Sequence, residues 1–272
     1  MLLFSLQDAV AKQLIQSYPP IQVVWARYSS QLLVSLVILF PVITTVLRTQ
    51  NLKMQILRST FLFSATVCFF SSLKYLQLAQ VNAIFQVAPL FVVVLSFIIL
   101  KEHVGIRRWV GVFVGIIGAL LITRPGSTMF SLSMLLPGMA ALCYASYLIS
   151  TKYLSKAELP STNFLYTSLV GAILASFLVS ASWTPIISSD LFIFATFGLM
   201  GALGHFFIII AFRLVDASFL APFTYLQLIF GGIWGYYFFF EIPSYFTIFG
   251  GTLIIASGLY VWFRERRVKA ID

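Results

Sequence analysis

The chain has 272 residues, of which 60% are hydrophobic and only 9% are charged, whereas about a quarter of the residues in a soluble domain are charged. Together with a mean hydropathy of +1.00, this composition argues against a soluble enzyme or binding domain and predicts a protein of the lipid bilayer. The net charge is +9, but the basic residues lie between apolar runs and form no patch, which argues against a nucleic-acid partner.

Ten apolar runs are candidate membrane spans, since a spanning helix needs about 20 such residues. The runs are too long for membrane β-strands and lack the alternation of period two that such strands show. The first run is short and begins at the initiator Met, so we expect the natural start to lie several residues upstream. In chain order the predicted spans are Met1–Ser17, Ile21–Leu47, Ser59–Tyr75, Val81–Leu100, Trp109–Thr123, Ser131–Ser150, Ser161–Ser182, Leu191–Phe212, Ser218–Phe240 and Tyr245–Phe263.

The connections between these spans differ sharply in charge. Cytoplasmic connections carry an excess of Lys and Arg, and taking alternate connections divides the basic residues into two unequal sets. The poor set holds only Lys74 and Arg124, while Lys12 and Arg27 lie inside spans. This asymmetry predicts a multi-pass membrane protein with both termini in the cytoplasm. The rich set holds 13 of the 17 basic residues: Arg48, Lys53, Arg58, Lys101, Arg107, Arg108, Lys152, Lys156, Arg213, Arg264, Arg266, Arg267 and Lys269.

Two stretches of the chain, one in each half, share one layout. Lys74–Leu120 aligns with Arg213–Leu259 without a gap. In each stretch an apolar run ends at a single acid, Glu102 or Glu241, and a Gly-rich apolar run follows. The pattern of the match indicates an internal duplication.

The duplication extends upstream, where Lys12 aligns with Lys152 at nearly the same offset. We therefore predict an all-α integral membrane protein with ten transmembrane helices in two five-helix repeats, 1–126 and 127–272. Because each repeat has an odd number of helices, the second copy is inverted in the membrane, an architecture found in many secondary transporters.

Three ionisable residues lie within predicted spans, where a charge is costly enough to indicate function by default. Asp8 and Lys12 are four residues apart and share a face of the first helix, and Arg27 lies at a similar depth in the second. We expect Asp8 to pair with Arg27 near Lys12, leaving a surplus positive charge for a carboxylate or phosphate of the substrate. Asp8 could instead bind and release a coupling proton. The alternatives are a structural ion pair between the helices, or a Lys12 that extends to the membrane surface.

His205 is the only histidine inside a predicted span, in the middle of the eighth. Histidine titrates near neutral pH, so His205 is a second candidate for carrying a coupling proton and for binding substrate. The alternative is a neutral side chain hydrogen-bonded to a neighbouring helix.

The fourth and ninth spans each carry polar side chains near a proline, Pro89 and Pro222 respectively. A proline inside a helix frees a backbone carbonyl. We predict that these spans line a cavity between the two halves, with interhelical hydrogen bonding as the alternative role of their polar residues. The candidate binding residues are Asn82, Gln86, Tyr225 and Gln227, with Tyr144 and Tyr147 of the sixth span as weaker candidates.

Small residues form a face on the fifth predicted span. Gly111, Gly115 and Gly118 lie on it and include a G-x-x-x-G motif, which allows close helix packing either within one chain or across a homodimer. Cys68 and Cys143 both fall inside apolar runs, which favours buried thiols over a disulfide or a metal site.

Three segments carry a family pattern: Leu73–Val104, Trp109–Gly126 and Gly201–Pro243. Through them, and over essentially its whole length, the chain resembles the EamA family of the drug/metabolite transporter superfamily. The resemblance implies ten helices, an inverted repeat and transport of small metabolites. The opening DAVAKQL and the later APFTYLQL are also similar to a bacterial subgroup that includes S-adenosylmethionine uptake carriers.

The leading prediction is a secondary carrier that works by alternating access. Its substrate would be a small polar metabolite, amino acid-like or S-adenosylmethionine-like, coupled to protons or to exchange of a counter-substrate. The expected partners are this molecule, the bilayer and a second copy of the chain; no cofactor or metal is expected, and the G-x-x-x-x-G-K-[ST] motif of ATP-driven proteins is absent. A multidrug or metabolite exporter of the same superfamily is the alternative. An intramembrane enzyme is a remote one, because the sequence has no H-E-x-x-H motif.

Overall fold

The computed structural model describes residues 1–101, 105–126, 130–154, 158–214, 223 and 225–269, with the backbone alone at 107–108, 205–206, 208–214 and 264–269. Within these residues the chain is all helical and contains no β-strand. Glu102 and Pro222 lie outside the described residues. The α-helices are α1 (Leu2–Ile15), α2 (Pro20–Leu39), α3 (Ile43–Val46), α4 (Leu52–Leu73), α5 (Leu78–Phe85), α6 (Ala88–Ile99), α7 (Ile106–Thr123), α8 (Leu135–Leu154), α9 (Pro160–Val179), α10 (Leu191–Leu214), α11 (Leu226–Phe239) and α12 (Tyr245–Lys269).

Helical segments in the described part of the chain are long and apolar enough to cross a membrane. Two shorter apolar helices, Trp109–Thr123 and Ser188–Gly204, fall below that length. The all-helical membrane class is therefore confirmed, whereas the ten-span count and its division into two repeats stay predictions. The 6 longer segments are Pro20–Val46, Leu52–Leu73, Leu78–Ile99, Leu132–Leu154, Pro160–Val179 and Tyr245–Phe263.

Prolines mark several helix boundaries. Pro20 and Pro160 occupy the first turns of α2 and α9, where a helix has no use for the missing N–H. Pro89 lies in the first turn of α6, so the fourth predicted span is two helices, α5 and α6, separated by a break after Phe85.

Arg58 corrects one sequence prediction. We expected it in a cytoplasmic connection before a span that starts at Ser59, but α4 already begins at Leu52, and Arg58 is only 1% exposed. The polar residues at the start of α4 lower the local hydropathy. Helices α8 and α9 pack against this part of the molecule and cover them.

The most extensive helix contacts join α2 to α9, α4 to α8 and α7 to α12, and α1 packs against both α10 and α11. Large buried side chains such as Tyr28, Phe70 and Phe197 fill the space between these helices. Close approach requires glycine at some contacts. A Cβ atom on Gly171 of α9 would lie 2.2 Å from the ring of Tyr28 in α2.

The small-residue face of α7 is used within the chain. A Cβ on Gly118 would lie 2.7 Å from the carbonyl oxygen of Gly250 in α12, and one on Gly250 would lie 2.5 Å from the carbonyl oxygen of Gly118. A Cβ atom added to Gly111 would clash with the Val261 side chain of α12, and one added to Gly115 would clash with the Leu90 side chain of α6. The glycines therefore serve intramolecular packing, and a homodimer stays a prediction.

We expect Gly250→Ala to lower the thermal unfolding midpoint of the detergent-solubilised protein by about 5 °C relative to Gly232→Ala. Backbone oxygen blocks the new methyl group at Gly250, and overpacking costs about 1–3 kcal/mol. Gly232 lies in α11 with no described atom within 4 Å of its added Cβ. The control variant Gly232→Ala should therefore change stability only through the higher helix propensity of alanine. Equal midpoints for the two variants would contradict the close α7–α12 contact.

Candidate functional site

Helix α1 carries a row of buried polar side chains that face the second half of the chain. Ser5, Gln7, Asp8 and Lys12 are each at least nine-tenths buried, because α10 and α11 cover this side of α1. The Trp234 indole donates to Ser5 Oγ at 3.1 Å, and Gln7 Nε2 donates to the Phe197 carbonyl oxygen at 3.3 Å. Buried polar groups need such partners.

Asp8 lies at the centre of this row. Its Oδ2 accepts a hydrogen bond from Gln227 Nε2 of α11 at 2.8 Å. The structure thus brings together two predicted site residues from opposite halves of the sequence. A carboxylate buried against an amide can change its protonation state without losing its partner, because a glutamine side chain both donates and accepts.

Lys12, expected to supply a surplus positive charge near Asp8 and Arg27, has an acidic partner of its own. Its ammonium forms an ion pair with Glu241 and donates to the Leu76 carbonyl oxygen at 2.6 Å. The second Glu241 oxygen accepts from the Leu78 N–H at 2.8 Å, at the N-terminus of α5, where a negative charge is favoured. Lys12 and Glu241 therefore tie α1, the α4–α5 turn and the end of α11 together.

Arg27 of α2, the residue expected to pair with Asp8, lies over two aromatic rings. Its guanidinium carbon is 5.6 Å from the centre of the Phe70 ring and 5.9 Å from that of Tyr28. Gln227 contacts Asp8 directly and Lys12 is neutralised by Glu241, while the pairing of Asp8 with Arg27 stays a prediction. The Glu241 side chain, 16% exposed, is a second acid in this region.

Asn82 and Tyr225 lie at tight helix contacts. Asn82 Nδ2 donates to the Leu78 carbonyl oxygen at 3.1 Å and would be 2.7 Å from a Cβ on Gly231 of α11. The Tyr225 hydroxyl occupies the space beside Gly258 of α12. Gln86, at the C-terminal end of α5, is 8% exposed. Substrate binding by these residues stays a prediction.

Tyr144 and Tyr147 belong to a second polar region, on α8. Their ring centres are 5.9 Å apart, and Tyr144 also contacts the Phe85 ring of α5 at 5.4 Å. The guanidinium carbon of Arg58 lies 5.0 Å from the centre of the Tyr147 ring. This region joins α4, α5 and α8 through aromatic rings and the Arg58 guanidinium.

Sequence reasoning missed Glu241 and Arg58 as site residues. The lone Glu that closes the ninth apolar run was a usable signal, since an acid there must find a partner. His205 belongs to α10, but its side chain lies outside the described part of the chain. Among the described residues, no group of three or more His, Cys, Asp or Glu side chains is placed to hold a metal ion.

The sequence matches the model of the EamA-like transporter family over residues 1–124 and 132–263. This chain belongs to the EamA-like transporter family. It is 28% identical to an S-adenosylmethionine uptake transporter of Rickettsia felis, over 98% of this chain and 90% of that protein. It is 30% identical to a riboflavin transporter of Brucella anthropi, over 85% of both chains.

One more distant relative is a transporter by name, and one solved structure shares the fold of this chain. A pseudopaline exporter of Pseudomonas aeruginosa is 24% identical over 93% of this chain and 90% of that protein. One crystal structure, at 16% identity, shares the fold with a TM-score of 0.67 over 98% of this chain and 97% of the other. The EamA family and its transporter-named members point to a multi-span membrane transporter with a small-molecule substrate, and not to an enzyme.

Proposed function

We propose that this EamA protein is a secondary active transporter that moves a small polar metabolite across the bacterial inner membrane by alternating access, with both termini in the cytoplasm. The main support for this proposal is the polar row of α1. This row contacts the second half of the chain through the Asp8–Gln227 hydrogen bond and the Lys12–Glu241 ion pair. Buried polar contacts of this kind mark functional positions in an apolar chain.

An inverted repeat is supported by helix contacts that recur at a constant offset. Gly111 and Gly250 occupy aligned places in the two stretches, and the Cβ position of each meets a branched side chain of the facing helix. These two side chains, Val261 and Ile122, are separated by the same number of residues as Gly111 and Gly250. The third and sixth predicted spans, α4 and α8, pack together. Their counterparts in the other repeat, the eighth and first spans α10 and α1, also pack together. A ten-helix, two-repeat architecture with its boundary at 126/127 accounts for these pairs.

Backbone geometry repeats as well. Lys101 and Phe240, which the same alignment pairs, have φ angles of 53° and 54°, a left-handed conformation that is uncommon outside glycine. A shared origin of the two stretches explains why both contain it just before an acidic residue, Glu102 or Glu241.

Contacts between connecting segments support the prediction that successive connections lie on opposite sides of the membrane. Tyr18 donates to Asp190 Oδ2 at 2.7 Å, joining two connections of the predicted outer side. Thr49 donates to Glu158 Oε1 at 2.6 Å, joining two of the predicted inner side. The Tyr166 hydroxyl adds a bond to the Leu47 carbonyl oxygen at that end.

We propose an amino acid-like or S-adenosylmethionine-like substrate, in keeping with the names of relatives such as the Rickettsia uptake transporters. Coupling would use protons, carried by Asp8 or His205, or exchange with a counter-substrate. The second candidate is metabolite export, which the pseudopaline exporter among the relatives favours.

Transport by purified protein tests the proposal. In proteoliposomes we expect saturable uptake of S-adenosylmethionine or L-methionine without nucleotide, measured against protein-free liposomes. Accumulation only from the opposite membrane face would favour export. Absence of flux for these compounds and for riboflavin, in protein that remains folded by thermal unfolding, would contradict the transporter proposal.

A further inference from the structure

A buried cation lies between α4, α8 and α9, away from the polar row of α1. Arg58 of α4 donates from Nη1 to Thr151 Oγ1 at 3.1 Å, and from Nη2 to Thr167 Oγ1 at 2.6 Å and to the Asn163 carbonyl oxygen. All three acceptors are neutral oxygens. A buried charge is ordinarily paired with an opposite charge, and these contacts fix the guanidinium without neutralising it.

The same turn of α4 holds buried polar atoms that have no hydrogen-bond partner among the described residues. They are Arg58 Nε, Gln55 Oε1 and Ser59 Oγ, and the Gln55 and Ser59 side chains are fully buried. Residues three and four apart share one face of a helix, so the three atoms belong to one face. Buried polar groups in proteins are rarely left unbonded, and three in one helical turn indicate a binding site.

The donor or acceptor character of these three atoms indicates which chemical groups a ligand must have. Arg58 Nε and Ser59 Oγ are donors next to a positive charge, and Gln55 Oε1 is an acceptor, because its amide nitrogen already donates to Asn163 Oδ1 at 2.7 Å. A carboxylate accepts from the two donors, and an ammonium donates to the acceptor. We propose that Gln55, Arg58 and Ser59 bind the α-amino-acid group of the substrate. This assignment rests on the transporter function proposed above and narrows its substrate class.

Two open cavities lie near the start of α4, at the end of the molecule that holds Arg58. One, of about 380 Å³, is lined by residues that include Lys53, Leu57 and Tyr153. The other, of about 270 Å³, is lined by Arg48, Glu158 and Thr162 among others.

Each cavity has a basic residue in its lining, Lys53 in one and Arg48 in the other, and a basic residue favours a carboxylate. The acid among the described lining residues, Glu158, is already held by Thr49 and by the Gln50 N–H at 2.8 Å.

Ser59→Ala tests the assignment without removing the buried charge. In proteoliposomes we expect this variant to raise the KM for S-adenosylmethionine about tenfold, the value of one hydrogen bond to a charged group. The KM for the decarboxylated analogue, which lacks the carboxylate, should change less than about twofold. Ser72→Ala on the same helix is the matched control, because the buried Ser72 hydroxyl bonds to its own helix at Phe69.

Arg58→Lys gives a second readout, since a lysine retains the charge but cannot supply Nε. We expect it to reduce discrimination between S-adenosylmethionine and the decarboxylated analogue. If neither variant alters that discrimination while uptake persists, the polar face is structural or water-filled and the assignment is wrong, although the transporter function stands. Uptake of riboflavin but not of S-adenosylmethionine or L-methionine overturns the assignment in the same way. Absence of all flux overturns both proposals.

Discussion

Asp8→Asn is expected to abolish uphill accumulation of substrate while leaving exchange intact. Asparagine has nearly the shape of aspartate and keeps a hydrogen bond with Gln227, which is 2.8 Å from Asp8 Oδ2, but it cannot bind and release a proton. A gradient of one pH unit corresponds to about 1.4 kcal/mol for each coupled proton, and so to about tenfold accumulation. In proteoliposomes with an imposed pH gradient, the accumulation ratio should therefore fall from about ten to about one.

Counterflow measured in the same vesicles separates loss of coupling from loss of transport. Asp190→Asn is the matched control, because Asp190 is an acid in a connecting segment that bonds to Tyr18, and the same chemical change there should leave accumulation unchanged. If Asp8→Asn accumulates substrate as well as the unaltered protein does, Asp8 does not carry the coupling proton. Attention would then move to His205 or to obligatory exchange.

Lys12→Met is expected to destabilise the protein by about 3 kcal/mol, the lower end of the cost of removing one partner from a buried ion pair. The variant leaves the Glu241 carboxylate, only 16% exposed, without its counter-charge. Lys12→Met combined with Glu241→Gln should recover at least half of the loss, because the uncompensated charge is gone. Thermal unfolding in detergent measures Lys12→Met, Glu241→Gln and the double variant under one condition.

A double-mutant cycle gives the coupling between the two side chains. Lys53→Met is the control for loss of a lysine, because Lys53 is exposed near the start of α4. If the Lys12 and Glu241 substitutions are simply additive, the pair contributes nothing to stability, and its position between the halves has no energetic consequence.

Hydropathy and proline positions predicted much of the helical layout. The bounds of α2 and α9 lie close to the expected ones at their N-termini, since Pro20 and Pro160 leave few alternatives. The burial of Asp8 and Lys12 also followed from their position within an apolar run. These features depend on local sequence, which a single chain reveals.

Arg58 and Glu241 could not be predicted in this way, because their surroundings are made by distant residues. The oxygens around Arg58 come from α8 and α9, far along the chain in the second half of the sequence. Glu241 meets Lys12 because Phe240 adopts a φ of 54° and turns the chain back. A left-handed phenylalanine has no sequence signal, so an acid that seemed to mark a helix end is part of the buried network.

The contacts of Glu241 also bear on how the chain is made. Lys12 is synthesised 229 residues before its partner, and the Leu78 N–H precedes the carboxylate that caps it by 163 residues. During translation the early helices therefore enter the bilayer with an unbalanced ammonium and an uncapped α5. Those helices reach their final charge balance only after most of the chain has been synthesised, so a chain that stops before Glu241 lacks both the counter-charge of Lys12 and the cap of α5.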